Sequence, residues 1–552
     1  MERTALDNSV ALPGLVNRER ADEYRRVGWW SRLSIADHVI RNTRERPAAT
    51  AFVTPDGRLD WVGYDVRARR LAQALIDLRL APGERVAIRL PDSASYHVAL
   101  LACEYAGVVA VGLAARAGER ELQHILARTR AVAVISHEEH GGERMSDVVK
   151  RCPGVRHHLV VPRFERDADA FMLADGVPVL PEPDADVLAS RRIGPDELWL
   201  INSTSGTTGL PKCVMHSQNR WYYFHLNVVE IGGLGGDEVV MSVVPTPYGF
   251  GLWSSHFTPC CLGAPTVVTE RFDPGLTLEL LERERVTVLC AVSTQFRMLL
   301  AHSDCERRDL SALRVMFTGG EPLPYEASRR FEEITGAAIL NIYGSNESGF
   351  ATATSVADAP EKRLHTAGRV RPGTELRLYD GEGAVTDGRR GQPGTRGPSI
   401  CLGYLDDPAA NRELFTEDGF VLHADLVELD EDGYLTVVGR KSDIIIRGGR
   451  NISAREVEDE VAAHPQVALA AAVPIPDLVF GERVCVFAEL RQPGALELNE
   501  LVDFLLSRGV SKETLPERLV ILDELPRSAG DKVAKAELRE AAGRLAAQEQ
   551  AS

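Results

Sequence analysis

The sequence predicts an α/β protein of several domains, and three features indicate this class. A chain of 552 residues is too long to fold around one hydrophobic core. Hydrophobic residues make up 44% of the chain and charged residues 26%, which is typical of globular proteins. From Ser34 onward, short apolar runs alternate with segments of helical period, which is the pattern of βαβ units around a mainly parallel sheet.

The first part of the chain is predicted to be scaffold. Residues 1–35 are polar and irregular, and we expect them to pack as an N-terminal arm. After them, the periodicity predicts helices over 71–80, 97–105 and 121–128, and strands over 85–89, 108–113 and 131–136. The chemistry of these segments suggests no site.

A second α/β run follows in the middle of the chain. Ser217 can cap a helix that Gly232 and Gly233 end, and Pro324 suits the first turn of a helix that ends at Gly336. The strands predicted in this run lie near 239–244, 266–269, 286–292, 315–318 and 338–343.

The last third of the chain has shorter elements. Between residues 368 and 438, short strands separated by Asp-Gly turns predict a small β-barrel or meander. A compact α+β tail follows. Its first helix carries a capping box of Ser453 and Glu456, with Val457 and Val461 on one face.

Charge and cysteine content argue against several classes of partner. The formal net charge is −17, from 63 Lys and Arg against 80 Asp and Glu, so neither nucleic acid nor an anionic membrane is expected as the main partner. No run approaches the roughly 18 apolar residues of a membrane helix, and the N-terminus lacks the apolar core of a signal peptide. Nine cysteines without a CxxC pair indicate reduced thiols, so we expect a cytoplasmic protein.

A polar, glycine-containing loop at 204–212 follows the apolar run 198–201, which predicts a buried strand. Glycines let backbone N–H groups approach a ligand, hydroxyls add donors and a lysine adds charge, so the loop suits a polyphosphate. The GxxGxxK spacing differs from the Walker pattern, because no Ser or Thr follows the lysine. A flexible polar turn is the alternative, which the buried strand disfavours. The residues predicted to hold phosphate are Thr204, Ser205, Gly206, Thr207, Thr208, Gly209 and Lys212.

Further polar segments follow later in the chain. Segments 318–322 (Thr-Gly-Gly-Glu-Pro) and 343–347 (Tyr-Gly-Ser-Asn-Glu) each come after a predicted strand, at the sheet edge where α/β proteins bind ligands. The others are 420–426, 439–452 and 525–535. In this order, the segments and the loop resemble the motifs of the adenylate-forming superfamily, which includes acyl- and aryl-CoA ligases, aryl-acid adenylating enzymes and luciferases. The arm residues 24–30 resemble those of its aryl and alicyclic acid branch.

The resemblance implies a role for each matching residue. Tyr343 would pack on adenine, Asp425 would bind the ribose hydroxyls, and Lys532 would supply the catalytic ammonium, with Lys535 the less favoured candidate. Glu347 would help hold Mg²⁺, a cation that takes one or two carboxylates plus phosphate oxygens. Thr204, Glu347 and Lys532 are implied to be catalytic. Besides the loop, the implied nucleotide-binding residues are Gly320, Glu321, Pro322, Tyr343, Gly344, Ser345, Asn346, Asp425, Arg440 and Lys532.

The resemblance also implies the domain organisation. A large N-terminal domain, residues 1–440, would comprise two doubly wound α/β subdomains (36–367) and a small distorted β-barrel (368–438). A hinge at 439–443, with Ser442 at the hinge position, would lead to a small mobile α+β lid domain, residues 444–552. Rotation of the lid would withdraw Lys532 and present Gly448 and Gly449 to a pantetheine arm.

The implied chemistry has two half-reactions. The carboxylate of a small-molecule acid attacks the α-phosphorus of ATP bound with Mg²⁺, which gives an acyl-adenylate and pyrophosphate. A thiol, of coenzyme A or of a carrier protein's phosphopantetheine, then attacks the acyl carbonyl and AMP leaves. Gly249 has no side chain to bind a phenol, so an apolar aryl, alicyclic or medium-chain acid fits best. The implied acid pocket consists of Tyr248, Gly249, Phe250, Ser254, Gly319 and Gly320.

Three functions remain open. The favoured one is an acid–CoA ligase, and the second is a stand-alone aryl- or acyl-AMP ligase that loads a separate carrier protein. The third is a nucleotide-binding partner protein with impaired adenylation. Cys213, Asn346 and Asp531 favour the third, because they depart from the family pattern close to the adenylation residues.

Overall fold

The structure is a computed structural model in which the chain folds into two compact units. It describes residue 12, residue 14 and residues 16–551, apart from 56, 116, 141–142, 163–170, 174–175, 180, 204–210, 322, 381–382, 441–442, 448–449, 478–480, 509, 511–513 and 528–532. The larger unit contains the described residues within Met1–Thr204, Leu210–Leu376 and Thr395–Leu422. The smaller unit contains those within Arg377–Gly394 and His423–Ser552.

The larger unit is rich in helices. They are α1 (Arg18–Arg26), α2 (Ile35–Glu45), α3 (Trp61–Asp77), α4 (Ala94–Ala106), α5 (Glu119–Thr129), α6 (Met145–Lys150), α7 (Ala185–Arg191), α8 (Gln218–Gly232), α9 (Gly249–Leu252), α10 (Thr258–Leu262), α11 (Pro274–Arg283), α12 (Ser293–Ala301), α13 (Tyr325–Thr335), α14 (Pro360–His365) and α15 (Pro408–Leu414). A π-helical segment, Trp253–Phe257, joins α9 to α10.

Most of the strands are short, with Val467–Asp477 and Gly481–Leu490 the exceptions. In the larger unit they are β1 (Thr50–Thr54), β2 (Gly57–Asp60), β3 (Arg85–Arg89), β4 (Val109–Gly112), β5 (Ala133–Ser136), β6 (Glu139–His140), β7 (Glu143–Arg144), β8 (His157–Val160), β9 (Phe171–Leu173), β10 (Pro178–Val179), β11 (Leu200–Ser203), β12 (Cys213–His216), β13 (Val240–Ser242), β14 (Thr266–Val267), β15 (Val288–Cys290), β16 (Val315–Gly319), β17 (Ala338–Tyr343), β18 (Thr352–Ala353) and β19 (Arg369–Val370). The remaining strands are β20 (Glu375–Tyr379), β21 (Val385–Thr386), β22 (Arg390–Arg396), β23 (Gly403–Tyr404), β24 (Val421–Leu422), β25 (Asp425–Leu429), β26 (Leu435–Arg440), β27 (Ile444–Arg447), β28 (Arg450–Ser453), β29 (Val467–Asp477), β30 (Gly481–Leu490) and β31 (Arg518–Ile521).

Two nine-stranded sheets organise the larger unit. One has the order β19-β18-β17-β16-β15-β13-β14-β1-β2, and its strands from β17 to β1 are parallel. The other has the order β10-β9-β8-β5-β3-β4-β11-β12-β23, and it is parallel from β8 to β11. Strands of both sheets contribute to one apolar core, which includes Ile88 of β3 and Phe317 of β16. Helix α4 is buried along its whole length, and most of its residues are apolar or small.

The smaller unit contains a mainly antiparallel sheet of order β28-β27-β30-β29, with β31 beside β30. The long pair β29 and β30 alternates its side chains between two cores, as strand geometry requires. Ala470 and Ala472 face the core that contains α16 residues, whereas Ala471 and Val473 face the core that contains α18 residues. Its helices are α16 (Ala454–Ala462), α17 (Leu498–Ser507) and α18 (Lys535–Ala551).

The predicted α/β class is confirmed, with a larger N-terminal and a smaller C-terminal part. Strands β3 and β17 have the predicted bounds. Ser453 caps α16, because its hydroxyl accepts a hydrogen bond from the N–H of Glu456. Two expectations were wrong. The N-terminal arm contains α1, and α3 begins ten residues before the predicted residue 71, because the polar residues of its first turns obscure the apolar period.

Among the residues that the structure describes, no helix combines the length and the apolar character that crossing a membrane would require.

Candidate nucleotide and acid site

The carboxyl ends of two adjacent parallel strands bring segments 318–322 and 343–347 together. Gly319 at the end of β16 pairs in register with Ile342 of β17. A Cβ atom on Gly319 would lie 2.4 Å from the carbonyl oxygen of Ile342, and one on Gly344 would lie 1.8 Å from that of Gly349. Both positions therefore require glycine. The sequence placed these segments at a ligand-binding edge, and the structure brings them side by side.

A pair of amides joins this edge to the other nine-stranded sheet. Asn346 donates from Nδ2 to Oδ1 of Asn202 over 2.7 Å, and Asn202 donates from Nδ2 to Oδ1 of Asn346 over 3.2 Å. Asn202 lies in β11, directly before the residues of the glycine-containing loop, and also donates to the carbonyl of Pro247 over 3.0 Å. Asn346 thus lies next to the strand that leads into the predicted phosphate loop.

Tyr404 links two of the predicted site residues. Its hydroxyl donates to Oε1 of Glu347 over 2.8 Å, and Nζ of Lys212 lies 4.9 Å from the centroid of its ring. Burial, together with the Glu347 carboxylate, raises the pKa of Tyr404, so the phenol stays protonated and acts as the donor. The backbone oxygen of Glu347 accepts a hydrogen bond from the N–H of Cys401 over 2.7 Å. The sequence prediction missed Tyr404, because only its contacts distinguish it from an ordinary buried aromatic residue.

An aromatic cluster lies beside the same edge. Phe224 of α8 contacts Trp253 and Phe350, with ring centroids 5.1 Å and 4.7 Å apart, and Trp253 contacts Phe317 at 5.5 Å. Trp221, one turn earlier on α8, is 2% exposed. These residues form an apolar wall, as the predicted acid pocket would require.

Three of the predicted acid-pocket residues are half-buried near this wall. They are Tyr248, Gly249 and Phe250, at the start of α9. A Cβ atom on Gly249 would lie 3.0 Å from Cη2 of Trp221 and 3.2 Å from Oδ1 of Asn346. Burial raises the pKa of Tyr248 to about 12, so its hydroxyl is neutral.

Ser254 is placed differently from the other predicted pocket residues. It is 0% exposed, and its hydroxyl donates to the carbonyl of Phe250 over 2.7 Å and lies within hydrogen-bond distance, 2.8 Å, of Oγ of Ser242. The hydroxyl therefore stabilises the π-helical segment. In segment 318–322, Gly320 has a φ of 76°, and Oε2 of Glu321 accepts a hydrogen bond from the N–H of Thr294 over 3.4 Å.

Two predicted residues lie opposite each other in the smaller unit. Asp425 begins β25 and Arg440 ends β26, and the two are paired in the antiparallel register. The other predicted site residues lie outside the described part of the chain. They are Thr204, Ser205, Gly206, Thr207, Thr208, Gly209, Pro322, Ser442, Gly448, Gly449 and Lys532.

Lys535, the less favoured candidate for the catalytic lysine, is bound within the smaller unit. Its Nζ lies 2.7 Å from Oε1 of Glu458 and 3.1 Å from Oδ2 of Asp443. Arg539 also pairs with Asp443. Two carboxylates hold this ammonium, which is typical of a structural ion-pair network.

The acidic residues of the site suit Mg²⁺ better than a metal bound by protein alone. In the described part of the chain, no group of three or more His, Cys, Asp or Glu side chains is arranged to hold a metal ion. Mg²⁺ usually takes one or two carboxylates and completes its shell with phosphate oxygens and water. The half-buried Glu347 carboxylate fits that requirement.

Comparisons with known proteins show the family to which the chain belongs. The family pattern described as AMP-binding enzyme matches residues 39–405, and the pattern of the AMP-binding enzyme C-terminal domain matches 456–532. The chain is 31% identical over 536 residues to the medium-chain fatty-acid–CoA ligase of Escherichia coli (strain K12), covering 95% of this chain and 93% of that protein. It is 32% identical over 539 residues to the 2-hydroxy-7-methoxy-5-methyl-1-naphthoate–CoA ligase of Streptomyces carzinostaticus, covering 95% and 96%.

A solved structure shares the fold. The ATP-bound structure of MatB from Rhodopseudomonas palustris superimposes with a TM-score of 0.80 at 25% identity, covering 93% of this chain and 99% of that one. The chain belongs to the AMP-binding enzyme family, and it is an enzyme of the AMP-forming acid–thiol ligase class.

Proposed function

We propose that this enzyme activates an apolar aryl, alicyclic or medium-chain carboxylic acid and transfers the acyl group to coenzyme A. The observation that carries the proposal is the position of Gly249, between Trp221 of the aromatic wall and the Asn346 amide. An acid bound beside Gly249 would have its apolar part against the wall and its carboxylate towards Asn346, one of the predicted nucleotide-binding residues. The relative named for a medium-chain fatty acid supports an apolar acid, and the relative named for a hydroxylated naphthoate supports an aryl acid.

The adenylation half-reaction joins two anions, so its main physical problem is charge. The acid's carboxylate oxygen bonds to the α-phosphorus of ATP, and the bond from that phosphorus to pyrophosphate breaks. We propose that Lys212, the hydroxyl and N–H donors of 204–209 and the Lys532 ammonium stabilise the charge that develops. Glu347 would hold Mg²⁺, which neutralises phosphate charge when it is bound.

We also propose roles for the predicted site residues of the second half of the chain. Asp425 would accept hydrogen bonds from the ribose hydroxyls, with Arg440 beside it in the register. In the second half-reaction the thiol sulfur bonds to the acyl carbonyl carbon, the bond to AMP breaks, and the thiol proton is released. We place the hinge at 439–443 and the pantetheine contact at Gly448 and Gly449.

The test is acid-dependent exchange of pyrophosphate into ATP, measured with a panel of carboxylic acids. The panel pairs each apolar aryl, alicyclic or medium-chain acid with a hydroxylated or short-chain counterpart. We expect exchange with apolar members and at least tenfold less with their polar counterparts, because most of the wall is aromatic carbon, against which burial of an added hydroxyl costs free energy. Absence of exchange with every acid would support the alternative of a nucleotide-binding partner with impaired adenylation.

A second assay identifies the acceptor. The best acid of the panel is incubated with ATP and either coenzyme A or a phosphopantetheinylated carrier protein, and thioester is measured. We expect thioester on coenzyme A. Thioester on the carrier protein alone would instead establish the carrier-loading function.

A further inference from the structure

Arg220 of α8 is a buried cation beside the proposed adenylation site. It is 1% exposed, and no ion pair joins it to a carboxylate among the described residues. Its Nε donates to the carbonyl of Ser399 over 2.9 Å, and its Nη1 donates to the carbonyl of Asn346 over 2.8 Å. Burial of a charge is unfavourable, and the Glu347 carboxylate offsets this only in part, through its electrostatic interaction with Arg220. The burial of the Arg220 guanidinium without an ion pair among the described residues therefore suggests a functional role for this side chain.

Arg220 also reaches the side chain of Asn346 through two other residues. Nη1 of Arg220 donates to Nδ1 of His216, and Nε2 of His216 lies 2.6 Å from Oδ1 of Asn202. Asn202 in turn exchanges hydrogen bonds with the amide of Asn346. Arg220, His216, Asn202 and Asn346 therefore form a closed ring, which we call the Arg220 ring.

The guanidinium, together with the carbonyl of Pro247 that accepts from Nδ2 of Asn202, determines the direction of the hydrogen bonds in this ring. Arginine can only donate, so Nδ1 of His216 must accept and its proton must lie on Nε2. That N–H donates to Oδ1 of Asn202, which leaves Nδ2 of Asn202 as the donor to Oδ1 of Asn346. Burial, with the charge of Arg220, lowers the pKa of His216 well below its usual value, in keeping with a neutral ring. His216 is 0% exposed and Asn202 is 1% exposed, which limits competition from water.

We propose that Arg220 is a positioning residue for adenylation, which fixes the orientation of the Asn346 amide through this ring. The inference rests on the proposed function, because it assigns Asn346 to the site where the α-phosphate reacts. An amide side chain has two orientations of similar energy, and only one presents the donor on the required side. Arg220 removes that ambiguity in two ways. It donates directly to the backbone carbonyl of Asn346, and it orients the Asn346 side chain through His216 and Asn202.

The test compares Arg220→Met with Arg363→Met. Arg363 is also buried, at 7% exposed, but it is paired with Glu332. We expect Arg220→Met to lower kcat of pyrophosphate exchange about 10²-fold, the scale for a misplaced reacting group, with KM for the acid within about threefold. We expect Arg220→Lys, which keeps a charged donor, to recover part of this loss. Arg363→Met should lower thermal stability while leaving kcat within about threefold.

A double substitution shows whether Arg220 acts through Asn346. If it does, Arg220→Met combined with Asn346→Ala should be no slower than Asn346→Ala alone. Fully multiplicative effects, or an equal loss of kcat in Arg363→Met, would overturn the inference.

A spectroscopic readout is independent of turnover. Nitrogen NMR of histidine-labelled protein should show His216 neutral and protonated on Nε2 at pH 7, and this tautomer should be lost in Arg220→Met. A wild-type protein without exchange activity would refute the proposed function, whereas a protonated Nδ1 in His216 would refute the ring itself.

Discussion

At the scale of single residues, the contacts of Lys535 bear on which of the two candidate lysines is catalytic. Lys535 is held by Glu458 and Asp443, at 2.7 Å and 3.1 Å. An ammonium fixed by two carboxylates stabilises its own unit and is poorly suited to approach a substrate. This contact favours Lys532, which lies outside the described residues, as the catalytic lysine.

We predict that Lys532→Ala slows adenylation by at least about 10²–10³-fold, because one charge-stabilising donor is lost. Thioester formation from supplied acyl-adenylate should change far less, since that step does not bring two anions together. Pyrophosphate exchange and single-turnover thioester formation measure the two steps. An equal loss in both would contradict the assignment.

The matched change Lys535→Met should affect stability. It leaves Glu458 and Asp443 without one partner, which should cost about 1.5–3 kcal/mol in the unfolding free energy of the smaller unit. Chemical denaturation followed by circular dichroism measures this cost. A stable Lys535→Met variant that had lost only adenylation would transfer the catalytic role to Lys535.

At the scale of elements, α9 and the π-helical segment bring the predicted pocket residues to the aromatic wall. Gly249 and Gly251 lie two residues apart in α9, but their surroundings differ. A Cβ atom on Gly251 would lie 2.4 Å from the carbonyl oxygen of Pro245 and 2.5 Å from that of Val244, which are backbone atoms. At Gly249 the nearest atoms belong to the side chains of Trp221 and Asn346.

This difference predicts distinct outcomes for two similar substitutions. Gly251→Ala should lower the unfolding free energy by about 1–3 kcal/mol, because the backbone must move. Gly249→Ala should cost less stability, because side chains can adjust, and should lower exchange with bulky aryl acids more than with slim medium-chain acids. Thermal unfolding and the acid panel test the two expectations. Equal stability losses with an unchanged order of acid preference would contradict them.

At the scale of the whole molecule, buried histidines link stability to pH. Burial lowers the pKa of His38 to about 4 and the pKa values of His97 and His225 to about 3. It also lowers the pKa values of His216 and His256 well below the ordinary value. These rings are neutral in the folded protein, whereas in the unfolded chain they bind protons near pH 6.5.

The unfolded state therefore binds more protons than the folded state as the pH falls below about 6.5. Each such histidine should cost about 1.4 kcal/mol of stability per pH unit, down to its folded pKa. Buried carboxyls oppose this in part, because burial raises the pKa of Glu104 to about 7 and also raises the pKa values of Asp92, Glu121, Glu458 and Asp459. Burial lowers the pKa values of His157 and His158 as well, so the histidines still outnumber the carboxyls. We therefore predict a moderate fall of the urea concentration at the unfolding midpoint as the pH is lowered from 6.5 to 5. A constant midpoint over that range would contradict the prediction.

All nine cysteines are free and buried, as the sequence suggested from their number and spacing. Burial raises the pKa values of Cys213 and Cys401 to about 12, so their thiols are protonated at neutral pH. We predict negligible reaction of the native protein with a thiol-specific reagent and nine equivalents of reaction after denaturation. Rapid labelling of any one thiol in the native protein would contradict this burial.

The sequence by itself determined the α/β class, the bounds of strands such as β3 and β17, the cap of α16 and the order of the motifs. These features depend on local periodicity, caps and turns, which a short stretch of chain carries within itself. It did not reveal α1, whose polar face hides the helical period, or the buried position of Ser254.

Only the tertiary structure paired Asn346 with Asn202, 144 residues earlier, and Glu347 with Tyr404, 57 residues later. Each pair depends on where the ends of strands meet once the sheets have formed, and no local pattern encodes that distance. Arg220 illustrates the same limit. A single arginine in a helix looks like a solvated charge in sequence, and only its enclosure by Asn346, His216 and Ser399 gives it a role.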